Sequence, residues 1–479
     1  MHPLWNSFTY FPYQRTGINW MLNKEKNGTM VWDESESDFS YVYGGFQCDD
    51  MGLGKTIQTI ATMINNPKPL TLLLAPLAMI ETWSSVCSRA GIRVLEIRNG
   101  SWIIMNGKAA VPEHFQMMRP SIYITNYEKL IHSPSLCTRK WDRIVLDEAH
   151  KIRNGNGQFA KQISRLSAPI RWALTGTPLV NSLKDIVSLL SFIGVPTSPS
   201  FSWSPHYMMI LPDLLLHRSL DSLRSTINGA PPVPEVIEEV LPFYTEEEED
   251  FYKGVQCTDD KLNKKYTQDV MTSVQSFQLL LRLRQLSVHP QIYINAKRRE
   301  DSTYDREDWI ALTTKFNRIK QLIQEDDDTR VHKYIVFCQF MEEMNLLAEE
   351  LRPIVPEVLL YNGSMNQTER TDVLTHSKKT NTTTVLLLQL QAGGVGLNLQ
   401  EYDRIIFVSP WWTSALMDQA VARAVRMGQT EVVKVYHLRL IDESNDKIIN
   451  IDTTMQKKAD EKRNMLKKIF NHCEQEQNK

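Results

Sequence analysis

The sequence predicts an α/β protein of two doubly wound parallel-sheet lobes with helical insertions between them, and three observations carry that expectation. Short, nearly continuous apolar runs recur at residues 71–75, 122–125, 143–146 and 171–174, each ending in a polar or glycine-containing turn. The same pattern begins again near residue 331, with runs at 334–338, 385–388, 404–408 and 432–438. Helical periods lie between them. Runs of this length read as strands buried on both faces. Strands alternating with helices imply βαβ units, so ligands are expected at strand carboxyl ends.

The intervening elements follow from spacing. Leu183, Ile186, Val187, Leu190 and Ile193 fall on one helical face, and Gly194 supplies a C-terminal stop. Met341, Met344, Leu347 and Leu351 repeat the pattern in the second half. Residues 200–305 differ: Pro-rich at 231–234, acidic at 246–250 and helix-like at 275–285, they read as a helical elaboration between the lobes. The basic, amphipathic stretch 456–468 reads as a surface helix, with DNA contact or a nuclear signal as the alternative. The expected division is an ATP-binding lobe at 1–200, an inter-lobe or protrusion region at 201–305, a second lobe at 306–455 and a basic helix or tail at 456–479.

Composition bounds the class. A chain of 479 residues exceeds by severalfold the roughly 150 residues of a typical domain. With 42% apolar and 23% charged residues it is unlike disordered, collagenous or membrane-spanning chains. Lys plus Arg number 54 and Asp plus Glu 56, a net charge of −2, so any nucleic-acid surface is local. The six cysteines, at 48, 87, 137, 257, 338 and 473, nowhere form a Cys-x-x-Cys pair, so reduced thiols and no zinc are expected. The first ten residues lack a charged region followed by an apolar core, which points to a soluble intracellular protein.

Asp49, Asp50, Met51, Gly52, Leu53, Gly54, Lys55 and Thr56 follow an apolar segment and precede the helical pattern of Ile57, Ile60 and Ile64. That arrangement places a glycine turn at a helix N-terminus, where backbone N–H groups approach phosphate oxygens and the dipole favours an anion. Lys55 is expected to reach the β and γ phosphates and the Thr56 hydroxyl to ligate Mg2+. Asp49 stands where the strict phosphate-loop pattern has its first glycine. The run 143–146 then delivers Asp147, Glu148, Ala149 and His150 to a strand end, with Asp147 as metal partner and Glu148 to orient or deprotonate a water.

These residues, in this order, resemble the DEAH-containing Swi/Snf-type ATPases of helicase superfamily two, a resemblance that covers roughly residues 8–450. Tyr13, Gln14, Gly17 and Trp20 are similar to that family's Q motif, in which the glutamine reads adenine. Ala75, Pro76, Leu77 and Trp83 resemble motif Ia, and residues 124–128 motif Ib. Residues 147–154 are similar to motif II and its extension. Residues 174–178, then Asn181, Ser182 and Leu183, resemble motif III. The stretch 280–290 is similar to the family's helical Leu-Arg-x-x-x-x-His-Pro segment. Phe337, Cys338, Gln339 and Phe340 resemble motif IV, with Gly363, Ser364, Glu369 and Arg370 as its companion. Residues 391–399 resemble motif V and residues 419–429 motif VI.

The resemblance implies two RecA-like lobes, ATP and Mg2+ as cofactors, and double-stranded DNA as partner. Chromatin or the transcription machinery is the expected context, with no membrane, a monomeric state and nuclear residence, the host nucleus if the protein is viral. ATP on the first lobe's loop lacks a cation for charge developing on the γ phosphate, and Arg423 and Arg426, at i and i+3 on one helix face, are arginine-finger candidates. Family motif VI usually has Asp and His where this chain has Ala422 and Val425. The Asp-Asp-Met-Gly loop and residues 181–185 are similar to a subgroup that often carries a zinc RING, yet residues 179–330 hold one cysteine, Cys257, so ubiquitin ligase activity is not expected. The compact chain resembles the short viral members, the baculovirus global transactivator proteins. Pro76, Thr125, Gln339, Gly393, Gly394 and Trp412 are the DNA-contact candidates. A duplex-DNA translocase is the favoured expectation; a non-catalytic ATP- and DNA-binding transcription cofactor and a strand-separating helicase remain the alternatives.

Overall fold

The computed structural model describes residues 1–33, 36–98, 101–104, 121–265, 273–326, 330–393, 397–441 and 450–477. The chain forms two compact units, one of residues 1–230 and 462–479, the other of residues 231–461. Gly394 lies outside the described residues.

The first unit holds β1 (Thr29–Asp33), β2 (Asp38–Gln47), β3 (Leu70–Leu74), β4 (Arg93–Arg98), β5 (Ser101–Ile104), β6 (Ser121–Thr125), β7 (Arg143–Asp147), β8 (Ile170–Leu174) and the two-residue β9 (Leu215–Leu216). They form one sheet in the order β1-β2-β8-β7-β3-β6-β4-β5, with β9 pairing β2. Among the described residues of this sheet, only the β1–β2 and β4–β5 pairs are antiparallel. Successive residues of each central strand enter different apolar clusters. Leu72, Leu74, Tyr123, Ile144 and Leu146 pack on one face. Leu73, Ile122, Ile124 and Val145 pack on the other. Burial of both faces is why these strands read as unbroken apolar runs.

The second unit carries β10 (Glu235–Leu241), β11 (Lys333–Cys338), β12 (Glu357–Tyr361), β13 (Thr384–Gln389), β14 (Arg404–Phe407) and β15 (Lys434–Leu440). Their order is β10-β15-β14-β11-β13-β12, and every pair is parallel. Tyr334, Val336, Val385 and Leu387 line one face, and Ile335, Phe337, Leu386 and Leu388 the other. The expected helix spans Leu183–Ile193, closed by Gly194 at φ 103°, and the second spans Met341–Leu351. Among the described residues, no helix is long and apolar enough to cross a membrane.

One buried ion pair fixes how the first helix meets this sheet. Helix Pro12–Asn27 places Glu25 in the interior, where its Oε1 accepts from Arg143 Nε at 2.6 Å and Trp172 Nε1 at 2.9 Å. Its Oε2 accepts from Arg143 Nη2 at 2.5 Å and Asn66 Nδ2 at 2.6 Å. Arg143 opens β7, the strand that ends at Asp147, so this cluster joins the helix bearing Gln14 to the strand bearing the carboxylates. Removing one partner strands the other's charge in the core. Glu25→Ala is therefore expected to cost about 3–5 kcal/mol in urea unfolding of the full chain. A loss below about 1 kcal/mol contradicts that role for the pair.

Candidate functional site

The parallel order β9-β2-β8-β7 brings four carboxyl ends side by side. From them emerge the 49–56 loop after β2, Thr175 and Gly176 after β8, Asp147 and Glu148 at the end of β7, and His217 and Arg218 after β9. Parallel neighbours point their carboxyl ends the same way, which is why segments distant in sequence share one edge.

Asp49 is fully buried. Its carboxylate accepts from Arg218 Nε at 2.9 Å, from Arg218 Nη2, and from Gln47 Nε2 and Gln58 Nε2, each at 3.0 Å. The backbone extends this anchor: Cys48 N–H donates to Leu216 O at 2.7 Å and Asp50 N–H to Arg218 O at 3.0 Å. Asp49 thus replaces the first glycine of the strict pattern as an internal ligand of the loop. Burial works against ionisation of Asp50, but the imidazole of His217 and the Leu220 N–H outweigh it and hold that carboxyl below its ordinary range.

Gly52 and Gly54 adopt φ of 88° and 79°, a conformation other residues rarely accept. A Cβ on Gly54 would also lie 2.7 Å from Gln14 Nε2. Helix Lys55–Asn65 begins directly after, with no side-chain cap on its first N–H groups. Lys55 Nζ donates to Asp49 O at 2.6 Å and Asp50 O at 3.3 Å, so its ammonium rests on the loop's carbonyls. Met51 and Thr56 are half-buried and Leu53 is buried. Gln14 is buried beside the loop, its Nε2 3.4 Å from Leu53 O and its Oε1 accepting from Phe11 N–H at 3.2 Å.

Asp147 is buried, with Oδ2 accepting from Trp83 Nε1 at 2.7 Å and Oδ1 from Glu148 N–H at 3.0 Å. Burial, then the neighbouring Glu148 charge, pushes its carboxyl up to about 6 against the Trp83 hydrogen bond. Tyr127 Oη donates to Asp147 O at 2.6 Å, fixing the strand end. Glu148 sits at φ 50°, ψ 50°, a left-handed turn that swings its side chain off the strand line. His150 Nδ1 lies 3.3 Å from Glu148 Oε2 and 3.4 Å from Thr175 Oγ1, so within this unit it links the acidic pair to the segment after β8. Gly176 faces Lys55: a Cβ there would stand 3.8 Å from Nζ. A glycine cradle, a lysine at its lip and a desolvated carboxylate suit a triphosphate with a divalent cation; Thr56 and Asp147 are the oxygen donors that would hold the cation.

In the second unit, helix Ser414–Val421 stops before both arginines. Arg423 and Arg426 lie in the turns that follow, which corrects the expectation of one shared helix face. The reason is local: Ala424 and Val425 are buried in the cluster with Ile405 and Val433, and that packing draws the chain out of helical register. Val425, at the family's histidine position, is thus a core residue. Arg423 is buried, its carbonyl accepting from Leu399 N–H at 3.1 Å, and burial lowers the guanidinium of Arg426 from its ordinary value.

The DNA-contact candidates occupy varied settings. Pro76 is buried at the N-cap of a short helix, and Thr125 is fully buried at the end of β6. Gln339 is held by Arg284 Nη2 at its Oε1, while its Nε2 donates to Pro410 O at 3.1 Å. Trp412 packs partly buried against the cluster of Phe251 and Tyr252, and Gly393 ends helix Leu390–Gly393. Arg218 and Gln58, the ligands of Asp49, escaped the sequence reading. A two-residue strand has no periodicity, and the only trace is the apolar Leu214, Leu215 and Leu216 stopping at His217 and Arg218.

Residues 13–292 match the SNF2-related domain model and residues 314–428 the helicase conserved C-terminal domain model. The chain is similar to a probable global transactivator of Orgyia pseudotsugata multicapsid polyhedrosis virus, 27% identical with 96% of this chain and 91% of that protein covered. It is 24% identical to the DNA repair protein RAD5 of Yarrowia lipolytica, covering 92% of this chain and 61% of that one. Among solved structures, the Sulfolobus solfataricus SWI2/SNF2 ATPase core in complex with dsDNA aligns with 92% of this chain and 90% of its own, at 24% identity and a TM-score of 0.41.

The left-handed backbone at Glu148 gives a direct test of what the site costs the fold. A non-glycine residue in that region carries about 1–2 kcal/mol of strain. Both Glu148→Gly and Glu148→Gln remove the charge beside Asp147, so the glycine variant is expected to exceed the glutamine variant in urea-unfolding stability by about 1 kcal/mol. Equal stability of the two variants contradicts a strained Glu148.

Proposed function

The chain belongs to the SNF2-related family, and from that premise we propose that it is a DNA-dependent ATP hydrolase of the double-stranded DNA translocase or remodelling type. Its expected setting is transcription or chromatin regulation, in a host nucleus if the protein is viral. The observation that carries the reading is the convergence, at neighbouring strand ends, of the glycine cradle with Lys55, the Asp147 and Glu148 pair, and Gly176. The matched relatives include one named a probable global transactivator and one named a DNA repair protein, and both names support a DNA substrate.

Each residue has a role that its setting supports. The N–H groups of residues 52–56 bind phosphate oxygens and Lys55 leaves the Asp49 carbonyl for them, exchanging a neutral acceptor for an anionic one. Thr56 and Asp147 would hold Mg2+, which when bound would supply charge neutralisation on the phosphates. Glu148, turned off the strand by its left-handed backbone, orients or deprotonates the attacking water. Gln14 is the adenine reader. Arg423 and Arg426 offset charge on the transferred phosphoryl group. Amide and hydroxyl groups near Pro76, Thr125, Gln339, Gly393 and Trp412 contact the duplex backbone without reading sequence.

Phosphate release by the purified chain, with and without duplex DNA, tests this. DNA is expected to stimulate release, Lys55→Ala to abolish it, Glu148→Gln to lower it about 10²- to 10⁴-fold and Arg423→Ala about 10³- to 10⁵-fold. Undetectable or DNA-independent release overturns the reading. Undetectable release with retained nucleotide binding would favour the non-catalytic cofactor, to which the Ala422 and Val425 departures also point. Strand displacement on a forked duplex would favour the helicase.

A further inference from the structure

Helix Ile451–Gln477 ends in the first unit, where Phe470 and Cys473 are buried in the same cluster as Cys48, Leu214 and Leu215. Side chains fasten it there: His472 Nε2 lies 3.0 Å from Met208 O, and Gln477 Nε2 donates to Pro212 O at 2.6 Å and Leu215 O at 2.7 Å. The ring of Phe470 lies flat on the imidazole of His217, with centroids 3.6 Å apart and planes 8° from parallel. Glu474 Oε1 stands 3.0 Å from His217 Nδ1, and on the other side of the ring Asp50 Oδ1 stands 3.6 Å from Nε2. The second oxygen of Asp50 accepts from Leu220 N–H at 2.8 Å.

Asp50 belongs to the loop whose carbonyls hold Lys55, so a free carboxylate there adds negative charge beside the phosphate cradle. A carboxylate and a phosphate group repel each other, most strongly where water is scarce. His217 and Leu220 N–H together hold that carboxylate on the side of the loop facing residues 217–220. His217 is in turn held by Phe470 and Glu474, two residues of the chain's last helix.

We propose that His217 is a positioning residue through which the C-terminal helix sets the affinity of the phosphate loop for a nucleoside triphosphate. The helix keeps the imidazole in place, the imidazole keeps Asp50 turned from the cradle, and the cradle presents N–H groups to the phosphates without a competing anion. The inference rests on the 49–56 loop being the triphosphate site.

Equilibrium binding of N-methylanthraniloyl-ATP with Mg2+ to the full chain, paired with KM and kcat for ATP and a thermal midpoint for each variant, tests it. Wild type is expected to bind and Lys55→Ala to lose binding. His217→Ala, Glu474→Gln and Phe470→Leu, the last keeping the apolar burial, should weaken binding and raise KM by about 5- to 50-fold with kcat within about twofold. His217→Lys, which places a cation between the two carboxylates, should recover most of the affinity. In an Asp50→Asn background His217→Ala should have no further effect, because no charge remains to be held back; a purely packing role for His217 would persist there. Wild-type affinity in all three single variants, with wild type binding and Lys55→Ala not, overturns this inference alone. A full His217→Ala effect in the Asp50→Asn background also overturns it. Absence of binding by wild type overturns the triphosphate site and this inference with it.

Discussion

The interaction on which the rest depends is the buried carboxylate of Asp49 and its four donors, two from Arg218 and one each from Gln47 and Gln58. A carboxyl group enters an interior only if its oxygens are met there by donors. Here they are met by groups from the end of β2, the helix after the loop and the segment after β9. The carboxylate therefore welds three segments into one body, and the residues that follow it have little freedom but to form the turn between Gly52 and Gly54. In the strict phosphate-loop pattern a glycine stands at this position. This chain instead pins the start of the loop from within, leaving residues 52–56 to meet a ligand.

Around that anchor, sheet order does the gathering. Because β9, β2, β8 and β7 are parallel neighbours, their carboxyl ends deliver the anchor arginine, the cradle, the Thr175–Gly176 turn and the acidic pair to one edge. Each functional group there is held by something that is not itself functional: Asp147 by Trp83 and Tyr127, His150 by Thr175, Lys55 by loop carbonyls. Among these site residues Glu148 departs from an easy backbone conformation, and strain of that kind persists only where surrounding structure dictates it.

The parts legible in sequence were those whose physics is local. Buried strands announced themselves because both faces of β3, β7, β11 and β13 are apolar, and helix Leu183–Ile193 because its period and its terminal glycine agree. The cradle was legible because glycine at positive φ and a following amphipathic helix are written in adjacent residues. The β1–β2 hairpin was not, since Met30, Trp32, Phe39 and Tyr41 stand exposed along it and break the buried-strand signature. Nor was the Asp49–Arg218 pair, whose members lie 169 residues apart and meet only through a two-residue strand. The helical placement of Arg423 and Arg426 failed for a related reason. Their spacing suits a helix, but the apolar contacts of Ala424 and Val425 with β14 and its neighbours decide the backbone there.

A crystal structure of the chain with ADP and Mg2+ tests the central claim most directly. The account predicts the β phosphate among the N–H groups of residues 52–56, Lys55 Nζ moved from the Asp49 carbonyl onto it, and the Asp49 carboxylate still enclosed by Arg218, Gln47 and Gln58. A nucleotide bound elsewhere, or an Asp49 carboxylate released from Arg218 to meet the ligand, would contradict it.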